Sequence, residues 1–446
     1  LWEEGKTTDF VGLEAVEGIT YRTHADPRTI CTFCKNRCLR TFVDFKIPGL
    51  EIASDSVLES PVPRRAGEDR YIVSGCEKGA VEDRKAVRAV VDGLKRIEKE
   101  SPDLTAEAAV EVWKPIHPTR VGDPLPARSW QPRIKLRRGR MLRREEIRIG
   151  IPRVLTMYQN APFFSAYFES LGVKPENLVY SRFTDDEMYR EGTRRGAIDP
   201  CFPAKVVMAH IHDLIHKPRG RKPVDVLFLP MLDAHHSPVV NVPASNACST
   251  VIAAPQTARA MFIKEQDVFS EHGIRYLYPI LDLSNPGLLE RQLLATWKDI
   301  LGLTSGENAG AVHHGYEALT AWDRHIRGRG REVLAMLERE ERIGIVMLGR
   351  SYHHDPGLNH GVFREFQKLG YPIFSQDTLP MEPALLDRLF GDEVRGGVIE
   401  HPLDVSDVWK HAYIASSAMK LWAAKFVARH PNLVGVEFSN FKCGHD

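Results

Sequence analysis

The strongest constraint on the fold is a pattern that occurs twice after residue 144. The stretches "EEIRIGIPRVL" (145–155) and "EERIGIVMLGR" (340–350) share an acidic pair, a buried-strand signal and a polar loop. Each is followed by a helical pattern that ends in Leu-Gly and by a second short strand, as in "HGVFREFQKLGYPIFS" (360–375). The offset of about 195 residues predicts an internal duplication.

Alternating strands and helices with short loops predict parallel sheets with helices on both faces. We therefore expect an α/β fold with two Rossmann-like, doubly wound lobes, lobe one at 145–339 and lobe two at 340–446. Gly172 and Gly370, at the ends of the corresponding helices, are C-cap signals. Ligands of such folds bind beyond the carboxyl ends of the strands.

The chain before these lobes has a different character. We expect a small cysteine-rich metal-binding module with a helix at 1–114. Five prolines at 115–132 and seven basic residues at 133–144 predict a proline-rich and basic linker over 115–144. No aromatic residues interleave with these cations to stack bases, which favours a solvated linker over a nucleic-acid site.

Charge and hydropathy argue against several partners. The 446 residues carry 60 Lys and Arg against 59 Asp and Glu, so no global charge indicates binding to nucleic acid or to an anionic membrane. The longest apolar runs, such as "VDVLFLPML" (224–232), are about half a membrane span. The chain begins at Leu1 and stops abruptly at Asp446, so we expect a fragment in which lobe two is truncated at its C-terminus.

Seven cysteines indicate metal or redox chemistry. An odd number in a chain rich in core residues argues against a secreted disulfide scaffold and favours a reducing cytoplasm. A first group has three cysteines close together and one distant: Cys31, Cys34, Cys38 and Cys76. Four thiolates suffice for zinc or for a 4Fe–4S cluster. The spacing favours iron–sulfur, and a purely structural metal site stays open as the alternative.

A second group comprises Cys201, Cys248 and Cys443, which lie far apart in the sequence but in similar polar or proline-bearing loops. Core cysteines normally lie inside apolar runs, and these three do not. A cleft between two lobes would gather such loop positions. Three thiolates on a 4Fe–4S cluster would leave one iron open to a substrate oxygen or sulfur.

The loop "GRSYHHDPGLNHG" (349–361) follows the first strand of lobe two, where a doubly wound fold binds its ligand. The candidate substrate-binding residues in this loop are Arg350, Tyr352, His354, Asn359 and His360. The alternative is that the loop caps the following helix, with Asn359 as the N-cap residue. His235 and His236 are not expected to bind one metal ion, because adjacent strand residues point to opposite faces.

Long phrases of the sequence resemble one family. They are "IRIGIPRVLTMYQNAPFFSAYFESLGV", "DPCFPAKVVMAHIHDLI", "GRSYHHDPGLNHGVFREFQKLGYPIFSQDTLP" and "WAAKFVARHPNLVGVEFSNFKCGHD", with the earlier "CTFCKNRC" and "GCEKGA". The family comprises the large multidomain relatives of the 2-hydroxyacyl-CoA dehydratase system, which are activators of 2-hydroxyglutaryl-CoA dehydratase or CoA-substrate-specific enzyme activases. The resemblance covers about residues 28–446.

The resemblance implies that the second cysteine group holds a 4Fe–4S cluster with an open iron. It implies that the first group is a separate site for a second 4Fe–4S cluster or for zinc, and a double cubane is an alternative cluster type. It also implies an ATPase activator domain, in the same full-length chain or separate, that supplies an electron at very low potential. This sequence has no Walker A motif and no glycine-rich phosphate motif of the activator type, so we expect no ATP site in it.

Two functions follow as expectations. In the first, the chain is an iron–sulfur redox component of a 2-hydroxyacyl-CoA dehydratase-like lyase or reductase system, which accepts an electron from the activator and passes it to an acyl-CoA-type substrate. In the second, it is a non-catalytic zinc- or cluster-stapled scaffold domain of a multidomain activase. The expected setting is anaerobic metabolism in the cytoplasm, with a second copy of the chain as a further partner and with neither nucleic acid nor a membrane.

Overall fold

The computed structural model describes residues 12–34, 37–49, 62–196, 201–217, 222–440 and 443. The chain divides into two compact units, which we call unit 1 (Leu1–Glu100) and unit 2 (Ser101–Asp446). None of the helices in the described ranges is long and apolar enough to cross a membrane.

Unit 1 is built on a small antiparallel sheet. Its elements are α1 (Leu13–Glu17), β1 (Thr20–His24), β2 (Thr41–Lys46), β3 (Asp69–Val73) and α2 (Arg84–Glu100). The strands lie in the order β1-β2-β3, with Phe42 of β2 opposite Ile72 of β3. Alternation along β2 directs Phe42 into a small apolar core that it forms with Val62 and Ile72.

Charged side chains support this small core. Asp44 is fully buried and pairs with Arg70, whose Nε lies 2.6 Å from Asp44 Oδ1. Arg70 Nη1 also lies 2.6 Å from Glu82 Oε1. The guanidinium groups of Arg40 and Arg70 lie 4.9 and 4.6 Å from the centre of the Phe42 ring. Unit 1 therefore depends on buried charge contacts as well as on apolar burial.

The first half of unit 2 alternates strands and helices. Its elements are α3 (Leu104–Glu111), α4 (Pro132–Leu142), β4 (Ile149–Ile151), α5 (Met157–Ser170), β5 (Leu178–Tyr180), α6 (Asp186–Gly192), α7 (Phe202–His216), β6 (Val226–Phe228), β7 (Met231–Ala234), α8 (Ser249–Phe262), α9 (Val268–Glu271), β8 (Arg275–Leu277) and β9 (Ile280–Asp282). Four strands pair in parallel in the order β5-β4-β6-β8, with Ile149 opposite both Leu178 and Val226. Strands β7 and β9 form a separate parallel pair.

A proline interrupts each of two apolar runs, so that one part of the run lies in the four-stranded sheet and the next part lies in the β7–β9 pair. The run "VDVLFLPML" contributes β6 and β7, which are separated by Pro230. The run "RYLYPIL" contributes β8 and most of β9, which are separated by Pro279. Because proline has no N–H to donate, the hydrogen-bond ladder is interrupted at both positions.

The second half of unit 2 forms another parallel sheet. Its elements are α10 (Pro286–Leu301), α11 (Ser305–Glu340), β10 (Gly344–Leu348), α12 (Val362–Lys368), β11 (Ile373–Ser375), α13 (Pro383–Arg395), α14 (Ala415–Arg429) and β12 (Leu433–Glu437). The strands lie in the order β11-β10-β12, with Ile345 opposite both Ile373 and Val434. The predicted α/β class with parallel sheets is confirmed, whereas the duplicated Rossmann-like lobes and the cysteine-rich metal-binding module stay predictions.

Helix α5 lies at the centre of the core of unit 2. It is buried along nearly its whole length, because both α11 and the sheet pack against it. Gly315 of α11 permits this approach, since a Cβ atom there would lie 2.6 Å from the Phe163 ring. The rings of Phe168 and Trp297 meet edge to face at 4.8 Å. Large aromatic side chains therefore fill the space between the sheet and the long helices.

Glycines end two of the helices as predicted. Gly172 after α5 has a φ of 98°, and Gly370 after α12 has a φ of 90°. Only glycine adopts this left-handed region without strain, which makes it the usual residue after a helix end.

The basic stretch that the sequence predicts as a linker forms most of α4. Arg144, which follows this helix, is buried, and its Nη1 lies 2.8 Å from Oε1 of the buried Glu307. Arg140 pairs with Asp299 of α10 at 3.0 Å. At least these two cations of the stretch therefore pair with acidic groups of unit 2 itself.

Candidate functional site

A cavity of about 190 Å³ in unit 2 is lined by residues from both halves of the unit. Its walls include parts of α5, α8, α11 and α14, together with the turns that follow β10 and β11. Those turns lie at the carboxyl ends of parallel strands, where such folds bind ligands. The cavity is therefore the first place in which to look for the predicted site residues.

Three of the five predicted substrate-binding residues line this cavity: Arg350, Tyr352 and His354. All three are almost fully buried. Tyr352 and His354 belong to a short helical turn over Ser351–His354 that follows β10, and Arg350 is its N-cap residue. The backbone N–H of Arg350 donates to Nδ1 of the buried His353 at 3.1 Å. This bond fixes the turn that directs the three side chains into the cavity.

The other two predicted residues are not among those that line the cavity. Asn359 Nδ2 donates to the carbonyl of His353 at 3.0 Å, and its Oδ1 accepts from the Gly361 N–H at 2.8 Å. Its amide therefore shapes the turn before α12, whose N-cap residue is Gly361 rather than Asn359. His360 is exposed, and its ring stacks on Phe202 at 5.9 Å, next to Cys201.

The second cysteine group consists of half-buried thiols. Cys248 lines the cavity and is the N-cap residue of α8. Cys443 Sγ lies 3.9 Å from Nη2 of Arg350, itself a cavity residue. Cys201 is the N-cap residue of α7, packs at the edge of the main apolar core and is not among the lining residues. The structure thus brings two of the three thiols to the cavity or to a residue that lines it.

The chemistry of these thiols suits an iron–sulfur cluster, because thiolate sulfur is its usual ligand. Helix N-termini, such as those beside Cys201 and Cys248, favour nearby negative charge. Within the described part of the chain, however, no three Cys, His, Asp or Glu side chains form a group that could hold a metal ion. The donor atoms therefore fit a cluster, whereas their described positions do not form a closed ligand set.

The first cysteine group lies on two loops of unit 1. Cys31 is buried, and the exposed members are Cys34, Cys38 and Cys76. The Cys31 N–H donates to the Cys38 carbonyl at 2.8 Å, which closes the first loop. The buried Arg40 donates from Nε to the Thr29 carbonyl at 3.0 Å and from Nη1 to the Gly79 carbonyl at 3.2 Å. One side chain therefore ties the loop of Cys31 to the loop of Cys76.

Part of the cavity surface, which we call the polar wall, consists of His235, His354, Gln376 and Asp377. His354 Nε2 lies 4.0 Å from Asp377 Oδ2. Burial lowers the pKa of His235 and of His354 to about 4, and it raises the pKa of Asp377 to about 6. At neutral pH both imidazoles are therefore uncharged, while the carboxyl group is mostly ionised.

A buried hydrogen-bond network behind the cavity centres on Asp355. The O–H of Tyr158, which lines the cavity, donates to Asp355 Oδ2 at 2.5 Å. The Thr184 O–H donates to the same oxygen at 3.0 Å, and the Gly357 N–H donates to Oδ1 at 2.8 Å. Because the Thr184 proton is engaged, His210 Nε2 must be the donor to Thr184 Oγ1 at 3.0 Å. The network joins the loop after β10 to α5 and α7.

Sequence reasoning did not single out Asp355, Gln376 or Asp377. Asp355 lies in "HHDPG", where Asp-Pro-Gly is typical of a turn. Gln376 and Asp377 directly follow β11, and that position at the carboxyl end of a parallel strand was the available signal. The sequence raises His235 only as a candidate metal ligand, and the structure buries it among the residues that line the cavity.

Comparison with known families gives a match over just over half of the chain. The family model described as the CoA enzyme activase uncharacterised domain (DUF2229) matches residues 148–379 of the 446. This range contains Cys201, Cys248 and the whole polar wall, and it excludes unit 1 and Cys443. No curated protein and no solved structure matches the chain.

Proposed function

Because the chain belongs to the CoA enzyme activase domain family, we propose that it is an iron–sulfur redox component in a system that acts on acyl-CoA. In this proposal it works like the subunits of 2-hydroxyacyl-CoA dehydratases: it accepts an electron from an ATP-driven activator and passes it to an acyl-CoA-type substrate. The observation that carries the proposal is the cavity at which Cys248, Arg350 and His354 meet.

We assign a 4Fe–4S cluster with an open iron to Cys201, Cys248 and Cys443. Such a cluster, when bound, supplies a Lewis-acidic iron and a one-electron donor for a carbonyl oxygen. One observation that supports this assignment is that Cys248 lines the cavity. Another is that the Arg350 guanidinium lies 3.9 Å from Cys443 Sγ, where its positive charge would offset the charge of a thiolate. The assignment requires the N-terminal end of α7 to bring Cys201 to the same place.

The residues of the chain would bind and orient the acyl part of the substrate. Arg350 brings positive charge to the cavity, and Val251 and Met419 provide apolar surface. The cavity has a volume of about 190 Å³. This space suits a small acyl group, and the nucleotide part of CoA would stay outside it. His354 and Tyr352 would contact the enclosed group.

We propose that Cys31, Cys34, Cys38 and Cys76 hold a second 4Fe–4S cluster or a zinc ion. The three exposed thiols give a partner access to this site, which suits the entry of an electron from the activator. ATP hydrolysis belongs to the activator in this proposal, because the sequence carries no Walker A motif.

A non-catalytic scaffold is the second candidate function. It is favoured by the observation that the described residues contain no group of three side chains able to hold a metal ion. In that case a metal in unit 1 would only hold the two cysteine loops together, and Cys201, Cys248 and Cys443 would not be ligands. The chain would then support the assembly of a larger activase.

We also propose that the two halves of unit 2 are Rossmann-like lobes that arose by duplication. The segments β4-α5-β5 and β10-α12-β11 are both parallel strand–helix–strand arrangements, which supports this proposal. In each segment the helix is followed by a glycine with a positive φ, Gly172 after α5 and Gly370 after α12.

Anaerobic purification with iron, sulfide and zinc counted per chain tests the proposed function. The iron count should fall by about four in either Cys248→Ala or Cys201→Ala, from about eight if unit 1 holds a second cubane or from about four if it holds zinc. Cys34→Ala should instead remove the metal of unit 1, about four irons or one zinc, and leave the cluster of unit 2 in place. About one zinc per chain, with no iron and no change in Cys248→Ala, would instead support the scaffold.

A further inference from the structure

Three buried polar atoms that belong to residues lining the cavity lack a hydrogen-bond partner among the described residues. They are His235 Nε2, His354 Nε2 and Gln376 Oε1. Each of these side chains is more than nine-tenths buried. Buried polar atoms in native proteins are nearly always hydrogen-bonded, so three such atoms on residues that line one cavity require polar partners there, from water or from a ligand.

The surrounding hydrogen bonds fix which nitrogen of His235 carries the proton. Asn160 Nδ2 donates to the Thr156 carbonyl at 2.8 Å, which identifies this atom as the amide nitrogen. The same nitrogen lies 3.3 Å from His235 Nδ1, which must therefore be an acceptor. His235 Nε2 then carries the proton of the neutral ring and is a donor whose acceptor is not among the described residues. Gln376 Oε1, by contrast, presents an acceptor.

The charge of the polar wall is negative. The charged groups that face Asp377 are Arg327 and Asp323 of α11, together with His354 when protonated. Arg327 Nε donates to both carboxylate oxygens of Asp323, at 2.8 and 2.9 Å, so its charge is already offset. The remaining cation of the cavity, Arg350, lies against Cys443. Asp377 therefore sets the sign of the charge on the wall.

We propose that the polar wall is a subsite for a neutral group that both accepts and donates hydrogen bonds, such as a carboxamide or a hydroxyl, and that it excludes a carboxylate. The oxygen of the group accepts the proton of His235 Nε2, and its N–H or O–H donates to Gln376 Oε1. A carboxylate has no proton to donate and is repelled by Asp377. This inference deepens the proposed function and rests on it in treating the cavity as the ligand site.

Acetamide and acetate are suitable probes, because they have the same shape and differ in charge and in donor capacity. We would titrate each into the full chain with ¹⁵N-labelled histidine and follow the imidazole resonances of His235 and His354 by NMR. At pH 7.5 acetamide should shift both resonances in a saturable manner. Acetate should leave them unchanged at tenfold higher concentration.

Two variants divide the contributions of the wall. Gln376→Leu should weaken acetamide binding at least tenfold, since it removes the acceptor. Asp377→Asn should bind acetate at least tenfold more tightly than the wild type does at pH 7.5. The control Asp392→Asn, which changes a fully exposed carboxylate, should alter neither affinity.

The pH dependence provides a further test of the role of Asp377. Burial raises its pKa to about 6, so its carboxyl group becomes protonated below that pH and no longer repels an anion. Acetate should therefore begin to bind to the wild type as the pH falls below about 6. In Asp377→Asn this dependence on pH should disappear.

Equal shifts with the two probes, or no shift with either, would overturn the subsite. These outcomes are separate from the test of the proposed function, which measures iron. A chain that binds acetamide at the polar wall but holds no iron would keep the subsite and refute the redox proposal. A chain with eight irons whose histidines respond to neither probe would do the reverse.

Discussion

The two cysteine groups lie in surroundings of opposite kinds. In unit 1, three of the four thiols are exposed, and their loops are supported by a core of three buried apolar residues and by buried charges. In unit 2, the three thiols are half-buried, and Cys248 borders both a cavity and the main apolar core. An exposed group suits exchange with a partner, whereas a half-buried thiol beside a cavity suits chemistry in a site with less water.

The largest difference in stability between the two units should appear in acid. Burial lowers the pKa of His210, His235 and His354 in unit 2 to about 4. In the unfolded chain these groups take up protons near pH 6.5, so unit 2 loses stability as the pH falls from 6.5 to 4. The loss is on the order of 2–3 kcal/mol per histidine. The pKa of Asp377 is raised to about 6, so protonation of this group stabilises unit 2 over the same pH range. One carboxyl group offsets only part of the destabilisation that the three histidines cause.

Tryptophan fluorescence follows this transition in unit 2, because all the tryptophans except Trp2 lie in that unit. Hydrogen exchange of the β2 and β3 backbone, corrected for the intrinsic effect of pH, follows unit 1. We expect the fluorescence change to come first as the pH is lowered from 7 to 4. Opening of unit 1 at a higher pH than unit 2 would contradict the assignment of the buried neutral histidines.

The second prediction tests whether unit 1 depends on its buried charges. Asp44→Ala removes one of the two carboxylate partners of Arg70, whose side chain is 1% exposed, and leaves Glu82 as the other. Breaking a buried pair costs about 3–5 kcal/mol, and because Glu82 remains we expect a loss toward the lower end of that range. We expect faster hydrogen exchange in β2 and β3 and an unchanged exchange rate in β4 and β5. The control Asp26→Ala breaks the exposed pair with Arg28 and should change neither region.

The sequence predicts the architecture of unit 2 better than its chemistry, for a physical reason. The parallel strands and the ends of α5 and α12 follow from local hydrophobic patterns and from Gly172 and Gly370. The polar wall depends on the approach of segments more than 100 residues apart, such as His235 and Asp377. No local pattern records this approach, although both segments follow the end of a strand.

The break between β6 and β7 could have been predicted from the sequence, and the role of Asp355 could not. Pro230 interrupts an apolar run at the point where one sheet ends and another begins, which is the effect expected of a residue without an N–H. Asp355, in contrast, is typical of a turn residue by its neighbours. Its function as an acceptor becomes visible only when Tyr158 and Thr184 are placed beside it.

The third prediction concerns the close packing on which the cavity depends. Gly330 of α11 lies against the carbonyl of Thr378, and a Cβ atom at this position would clash with that oxygen. Gly330→Ala should therefore destabilise unit 2 by about 1–3 kcal/mol and displace the turn that carries Asp377. Urea unfolding measures the first effect, and the acetamide affinity of the polar wall measures the second.

Gly328→Ala is the matched control on the same helix. No atom lies within 4 Å of a Cβ built on Gly328. This substitution should stabilise the helix by about 0.5–1 kcal/mol, because alanine loses less backbone entropy on folding. If both variants behaved alike, the contact between α11 and the turn after β11 would not shape the cavity.

The smallest effect should come from the contact that links the predicted loop to Cys201. The exposed His360 ring stacks on Phe202, the first residue of α7, so His360→Ala should cost about 0.5 kcal/mol of stability. If this contact helps to hold Cys201 at a cluster, iron should leave the variant a few times faster in the presence of a chelator. That acceleration should affect only the irons that are lost in Cys248→Ala, and the exposed His411→Ala should show none. Faster release from both cysteine groups would mean that the two surroundings are coupled and that their contrast does not define separate sites.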